Sequence, residues 1–247
     1  MGVESPVSRL SRFQPGLESI HRVREQFARN LGIQSAPPDL SHTYIHPDTT
    51  RRISDAYDAL PHRDPKALPH FEQMLHDTRQ QYEQMVKPQS QGGLGMNVHV
   101  QEHDPYSGPE EMFDDVINRN QIKVMSSKTT SGHPIFGNEG NDMFRAVHDV
   151  FGHVGSGRGF DRHGEEAAYL SHAHMYSPRS RPALATETRG QNSWVIQHGG
   201  QFPDQKMATL PNVFQQPVAL SAGNKIGRRR AAQQSTLFNN RQFTKLV

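Results

Sequence analysis

The chain has 247 residues, and its 27 basic and 25 acidic side chains leave a formal charge of +2, too small an excess to imply a nucleic-acid partner by electrostatics alone. It contains no cysteine, which excludes disulfides, thiolate zinc sites, iron–sulfur clusters and thiol nucleophiles, so any metal must be held by nitrogen and oxygen. A hydrophobic fraction of 33% and a mean hydropathy of -0.78 predict a thin core, long loops and much polar surface. No apolar run approaches about eighteen residues and no basic segment precedes an apolar one, so the expectation is a cytoplasmic protein with no membrane partner.

In chain order, residues 1–16 are rich in Ser, Pro and Arg and read as an extended arm. "GLESIHRVREQFARNLG" (16–32) sets Leu17, Ile20, Val23, Phe27 and Leu31 at helical spacing and closes on Gly32. Helical patterns follow at about 49–60 and 66–87. "QGGLGM" (91–96) is a Gly-rich loop that lacks the lysine of a phosphate-binding loop. "NVHVQE" and "QIKVMSS" read as strands, and between them "SGPEEMFDDVINRN" starts a helix with Ser107 as N-cap and a proline and two glutamates in its first turn. A helix from Asp142, capped by Asn141, is expected to end near Gly152, with others at about 163–176 and 181–198. Beyond 200 the prolines argue against regular structure. The expected organisation is an N-terminal arm and helical segment (1–90), a metal-binding core (91–200) and an irregular C-terminal extension (201–247), or one continuous domain. "KIGRRRAA" (225–232) carries Arg228, Arg229 and Arg230, the one basic cluster with a weak case for nucleic acid.

The stretch that carries chemistry is "NDMFRAVHDVFGHVGSG" (141–157). On a straight α-helix residues five apart differ by about 140° around the axis, so His148 and His153 converge only if the helix ends or bends between them, which Gly152 permits. Two imidazoles leave a divalent metal short of a third ligand, preferably a carboxylate. Two stretches offer one: "RHGEEAAYLSH", with Glu165 and Glu166 at a helix start, and "ALATETRGQNSW", with Glu187 among small and polar residues.

"HDVFGHV" (148–154), followed by Phe160, "EEAAYLSHA" and "TET" (186–188), resembles the catalytic core of the pterin-dependent aromatic amino acid hydroxylases. The preceding order "FDDVINRN", "IKVM", "HPIF", "ND" is similar to that family's approach to its first ligand, and the likeness covers about residues 105–195. It implies a mainly α fold with a few short strands and long loops around a helical catalytic core. It also implies a mononuclear non-haem Fe(II) site made by His148, His153 and Glu187, serving an oxygenase or hydroxylase. Asp149 would then face a cofactor or a water beside the metal, and Asp149 and Arg189 are the candidate catalytic residues. Pterin would come with the family, although no residue here is assigned to bind it, and Gly155 stands where the family commonly has proline.

His163, His172 and His174 are further candidates to orient the ligands. The same three ligands would suit a zinc hydrolase less well, because the His-Glu-x-x-His arrangement is missing. "NDMFRAVHDVFGH", "GEEAAYLSHAHMYSP" and "ALATETRGQNSW" together also resemble segments of uncharacterised bacteriophage proteins. That implies an alternative in which the chain assembles with protein partners in a virion, around a structural or vestigial metal site.

Overall fold

The computed structural model describes residues 17–33, 40, 42–129 and 132–215. The expected arm over 1–16 and the Arg228–Arg230 cluster lie outside them. The described chain is mainly helical: α1 (Leu17–Asn30), α2 (Pro47–Asp58), α3 (Leu68–Val86), α4 (Pro109–Asn118), α5 (Gly137–Val147), α6 (Arg162–Ala173), α7 (Arg181–Ala185), α8 (Gln191–Gln197) and a single turn, α9 (Asn212–Gln215). Strands β1 (Asn97–Gln101) and β2 (Gln121–Met125) pair in parallel, with Asn97 opposite Gln121, and α4 makes the crossover. No helix of the described residues is long and apolar enough to cross a membrane.

Each amphipathic stripe read in the sequence turns inward. Leu17, Ile20, Val23 and Phe27 of α1, Ile53 and Tyr57 of α2, and Phe71, Met74 and Met85 of α3 join one buried cluster that runs from Leu17 to Leu210. The segment after α8 has no regular element until α9, as its prolines suggest, yet it is tied down. Lys206 Nζ donates to the carbonyls of Tyr57, Asp58 and Leu60 at 2.8, 2.8 and 3.0 Å, closing the C-terminus of α2. Tyr57 in turn donates from its hydroxyl to Asp204 O at 3.0 Å.

Three local expectations are corrected. Asn141 does not cap the helix that bears His148: α5 begins four residues earlier at Gly137, and Asn141 lies inside it, donating to Ser127 Oγ at 2.8 Å. The N-cap of α4 is Gly108 rather than Ser107, because Glu111 reaches back to take both the N–H and the hydroxyl of Ser107. The helices expected to end near Gly152 and to run unbroken over 181–198 each contain a π-helical segment, His148–Val154 after α5 and Thr186–Gly190 between α7 and α8. A π-helix bonds residue i to i+5, widening the turn by one residue.

α6 packs along the first π-helical segment. Asp161 is its N-cap, one carboxylate oxygen accepting from the N–H groups of His163 and Gly164, each at 2.8 Å. The helix start presses so closely on the preceding loop that a Cβ at Gly164 would sit 1.8 Å from Gly159 O. Gly164→Ala should therefore cost about 3 kcal/mol in denaturant unfolding, since backbone on both sides must move. Wild-type stability in that variant would contradict this packing.

Candidate metal centre

Within the π-helical segment residues five apart come onto one face, because the i→i+5 bond stacks them. His148 and His153 thus converge without the helix ending. Gly152 contributes room: a Cβ there would lie 3.2 Å from His148 Nδ1 and 3.2 Å from Ala168 O. The widened turn is held from outside. Ser171 donates its hydroxyl to Phe151 O at 2.7 Å, Arg24 Nη1 donates to Ser171 Oγ at 2.7 Å and to Gly155 O at 3.1 Å, and His21 donates to Gly155 O at 2.9 Å. These donors tie the wide turn to α6 and α1.

The third side chain to converge is Glu165, from the first turn of α6. One ring nitrogen of His148, one of His153 and a carboxylate oxygen of Glu165 all lie within 4.8 Å of one another. Glu165 Oε2 is 3.5 Å from His153 Nε2 and accepts from Asn192 Nδ2 of α8. Glu165 Oε1 is buried with no hydrogen-bond partner among the described residues. Burial pushes the Glu165 carboxyl above its ordinary range, His153 pulls it back down and Asp149 pushes it further up.

His153 Nδ1 lies 3.3 Å from the carbonyl of Arg158. That oxygen only accepts, so Nδ1 carries the proton and Nε2 turns its lone pair toward Glu165. A lone pair and a carboxylate oxygen 3.5 Å apart repel unless a cation, a proton or a metal ion, lies between them. Phe160 closes the site edge-on to His153 at 5.0 Å, and Phe144 lies 5.9 Å from His148. His172 is fully buried beside His148, and burial, helped by the positive charge of Arg24, pushes it down to about 3.

Glu187 is not among the side chains that converge. It lies in the second π-helical segment, its Oε1 3.3 Å from His133 Nε2 and its Oε2 accepting from Gln191 Nε2 at 2.6 Å. His133 Nδ1 accepts from the N–H groups of Ile135 and Phe136 at 3.1 and 3.0 Å, so its proton is on Nε2. The proton pattern is the reverse of that in His153, and the contact falls short of a hydrogen bond: His133 Nε2 and Glu187 Oε1 are both buried with no hydrogen-bond partner among the described residues.

Arg189, expected at the chemistry, clamps Glu166 instead. Its Nε donates to Glu166 Oε2 at 2.8 Å, its Nη2 to Glu166 Oε1, and its Nη1 to Phe214 O at 2.8 Å, while its guanidinium carbon lies 5.1 Å from the Tyr169 ring centroid. Asp149 is fully buried in the first π-helical segment, near enough for its charge to act on Tyr106, Arg145 and Glu165. His163 accepts at Nδ1 from Ile45 N at 3.2 Å and stacks on Tyr44, and His174 is half-buried. Comparison with protein-family models, with curated proteins and with solved structures returns no match, so the site is interpreted from its geometry.

Two substitutions separate the roles. Arg189→Met strands a buried carboxylate and should cost about 3–5 kcal/mol in chemical unfolding; an unchanged unfolding midpoint would return Arg189 to the list of reactive groups. Gly152→Ala should lower the thermal midpoint, at a cost of about 1–3 kcal/mol, by pushing the His148 ring against its neighbours, and a midpoint at or above wild type would show that the ring has room to spare.

Proposed function

We propose that the chain is a mononuclear non-haem metal protein of the iron oxygenase type, in which His148, His153 and Glu165 hold the metal. The observation that carries this reading is the convergence of two imidazole nitrogens and one carboxylate oxygen inside the hydrophobic core, where three polar groups facing one point need a cation to offset their desolvation. Two histidines and one carboxylate form the donor set typical of non-haem Fe(II) oxygenases, which leaves coordination positions open. The likeness of "HDVFGHV" to the aromatic amino acid hydroxylases favours the same chemistry over a zinc hydrolase.

When bound, the iron would supply oxygen activation. The protein's own contribution is geometric and electrostatic. The π-helical turn fixes the spacing of the two rings, and Arg158 O holds the His153 proton on Nδ1. Asn192 orients the Glu165 carboxylate, leaving Oε1 unengaged. Phe144 and Phe160 keep water from the ring faces.

A second reading, a structural metal in a chain whose role is assembly, is favoured by the depth of the site: His148 and His153 are 0% exposed and Glu165 4%. One experiment addresses both. The full chain is reconstituted anaerobically with Fe(II), freed of excess ion and analysed for metal. The expected result is about one iron per chain, lost in His153→Ala and Glu165→Gln and retained in Glu187→Gln. Iron bound without any reductant-dependent oxygen consumption favours the structural reading, and folded wild-type protein that takes up no iron contradicts both.

A further inference from the structure

His148 can offer the metal point Nε2 only if its own proton sits on Nδ1, and the partner of that Nδ1 is another imidazole. The Nδ1 atoms of His148 and His172 are 3.1 Å apart, a separation at which one nitrogen donates and the other accepts. The contact alone does not say which, because each ring can carry its proton on either nitrogen.

The direction is fixed one residue further along. Gln81 of α3 donates from Nε2 to the carbonyl oxygen of Met175 at 2.8 Å. That oxygen has no proton to give, so the amide cannot be turned end for end without facing two acceptors toward each other. Gln81 Oε1 is thereby aimed at His172 Nε2, 2.7 Å away, and Nε2 must be the N–H of that ring. With its proton there, His172 accepts at Nδ1 and His148 must donate from Nδ1. The lone pair of His148 is left on Nε2.

We propose that His172 and Gln81 are positioning residues of the metal centre: a relay from His148 through His172 and Gln81 to the Met175 carbonyl holds His148 in its Nδ1–H form, with Nε2 as its donor nitrogen. The relevance to a metal rests on the reading above; the relay itself does not. His148, His172 and Gln81 are each 0% exposed, so bulk solvent does not reach the relay. Phe144 stacks on the His172 ring at 6.2 Å and Tyr176 meets its edge at 4.9 Å, which holds the ring plane against rotation. Tyr176 is anchored in turn by a hydrogen bond to Thr78 Oγ1 at 2.8 Å. The relay joins α3, α5 with its π-helical extension, and α6, so it sets the ligand proton from three elements at once.

The test reads the proton before any metal is added. Two-bond ¹H–¹⁵N correlation spectra of the metal-free full chain, with ring-labelled histidine, should show His148 and His153 protonated at Nδ1 and His172 and His133 at Nε2. His172→Leu should let His148 populate both forms and weaken Co(II) binding about 10–100-fold. His172→Asn, whose side-chain oxygen preserves an acceptor for His148, should restore most of that affinity, which a merely space-filling role would not predict. Gln81→Met should mix the two forms of His172 and fall between. A wild-type spectrum with His148 protonated at Nε2 overturns the relay, as does a His172→Leu chain with unchanged tautomer and affinity. The stated tautomers in a wild-type chain that binds no Co(II) would support the relay and overturn the metal reading instead.

Discussion

Everything at the centre of this molecule depends on one departure from α-helical geometry. Two histidines five residues apart cannot face one point on a regular helix, and the chain answers by widening one turn from His148 to Val154. The carbonyls of Phe151, inside the wide turn, and of Gly155, just after it, accept from Ser171, Arg24 and His21. The N-terminal helix is therefore part of the site's construction although it contributes no ligand. A distortion that costs stability persists because elements on both sides determine it.

The second feature is a helix that is polar in sequence and buried in fact. Across α6 the residues from His163 to His172 are all buried, and the adjacent acids diverge by about 100° as helical neighbours must. Glu165 turns to the histidines and Asn192. Glu166 turns to the fork of Arg189; burial pushes its carboxyl above the ordinary range, and the Arg189 charge offsets that push only in part. A low mean hydropathy thus coexists with a continuous core, because buried charged side chains find partners inside it, Glu166 in the Arg189 fork, Lys206 in three carbonyls and Arg24 in Ser171 and Gly155. One glutamate keeps an oxygen without a hydrogen-bond partner among the described residues, and the other is engaged by Arg189, which ties α6 to the second π-helical segment and the chain near Phe214.

The helical stripes of α1, α3 and α4 were legible in the sequence because apolar spacing reports burial directly, and so was the irregular stretch after residue 200. His148 and His153 were legible as a pair through their spacing and the small residue between them. The acid that meets them in space was not. Both "GEEAA" and "TETRG" put acids in helical surroundings, and the choice between Glu165 and Glu187 depends on how α6 lies across the wide turn, a tertiary fact with no local signal. The resemblance to the hydroxylases pointed to Glu187, which the structure pairs with His133 and Gln191. A sequence signal for Glu165 did exist in the Asp161 cap and in Gly164, which lets the helix start press against Gly159, but it becomes readable only once that contact is seen. The π-helical segments had no signal in apolar periodicity, since both are buried on every side.

The central claim is that His148, His153 and Glu165 enclose a metal ion. Its most direct measurement is anomalous diffraction at the iron edge from crystals of the iron-loaded full chain. The account predicts one peak about 2.0–2.2 Å from the Nε2 atoms of both histidines and from the Glu165 carboxylate, with Glu187 still accepting from Gln191. A peak bonded to Glu187 in place of Glu165, or no peak while His153 and Glu165 remain face to face across a shared proton, would contradict it.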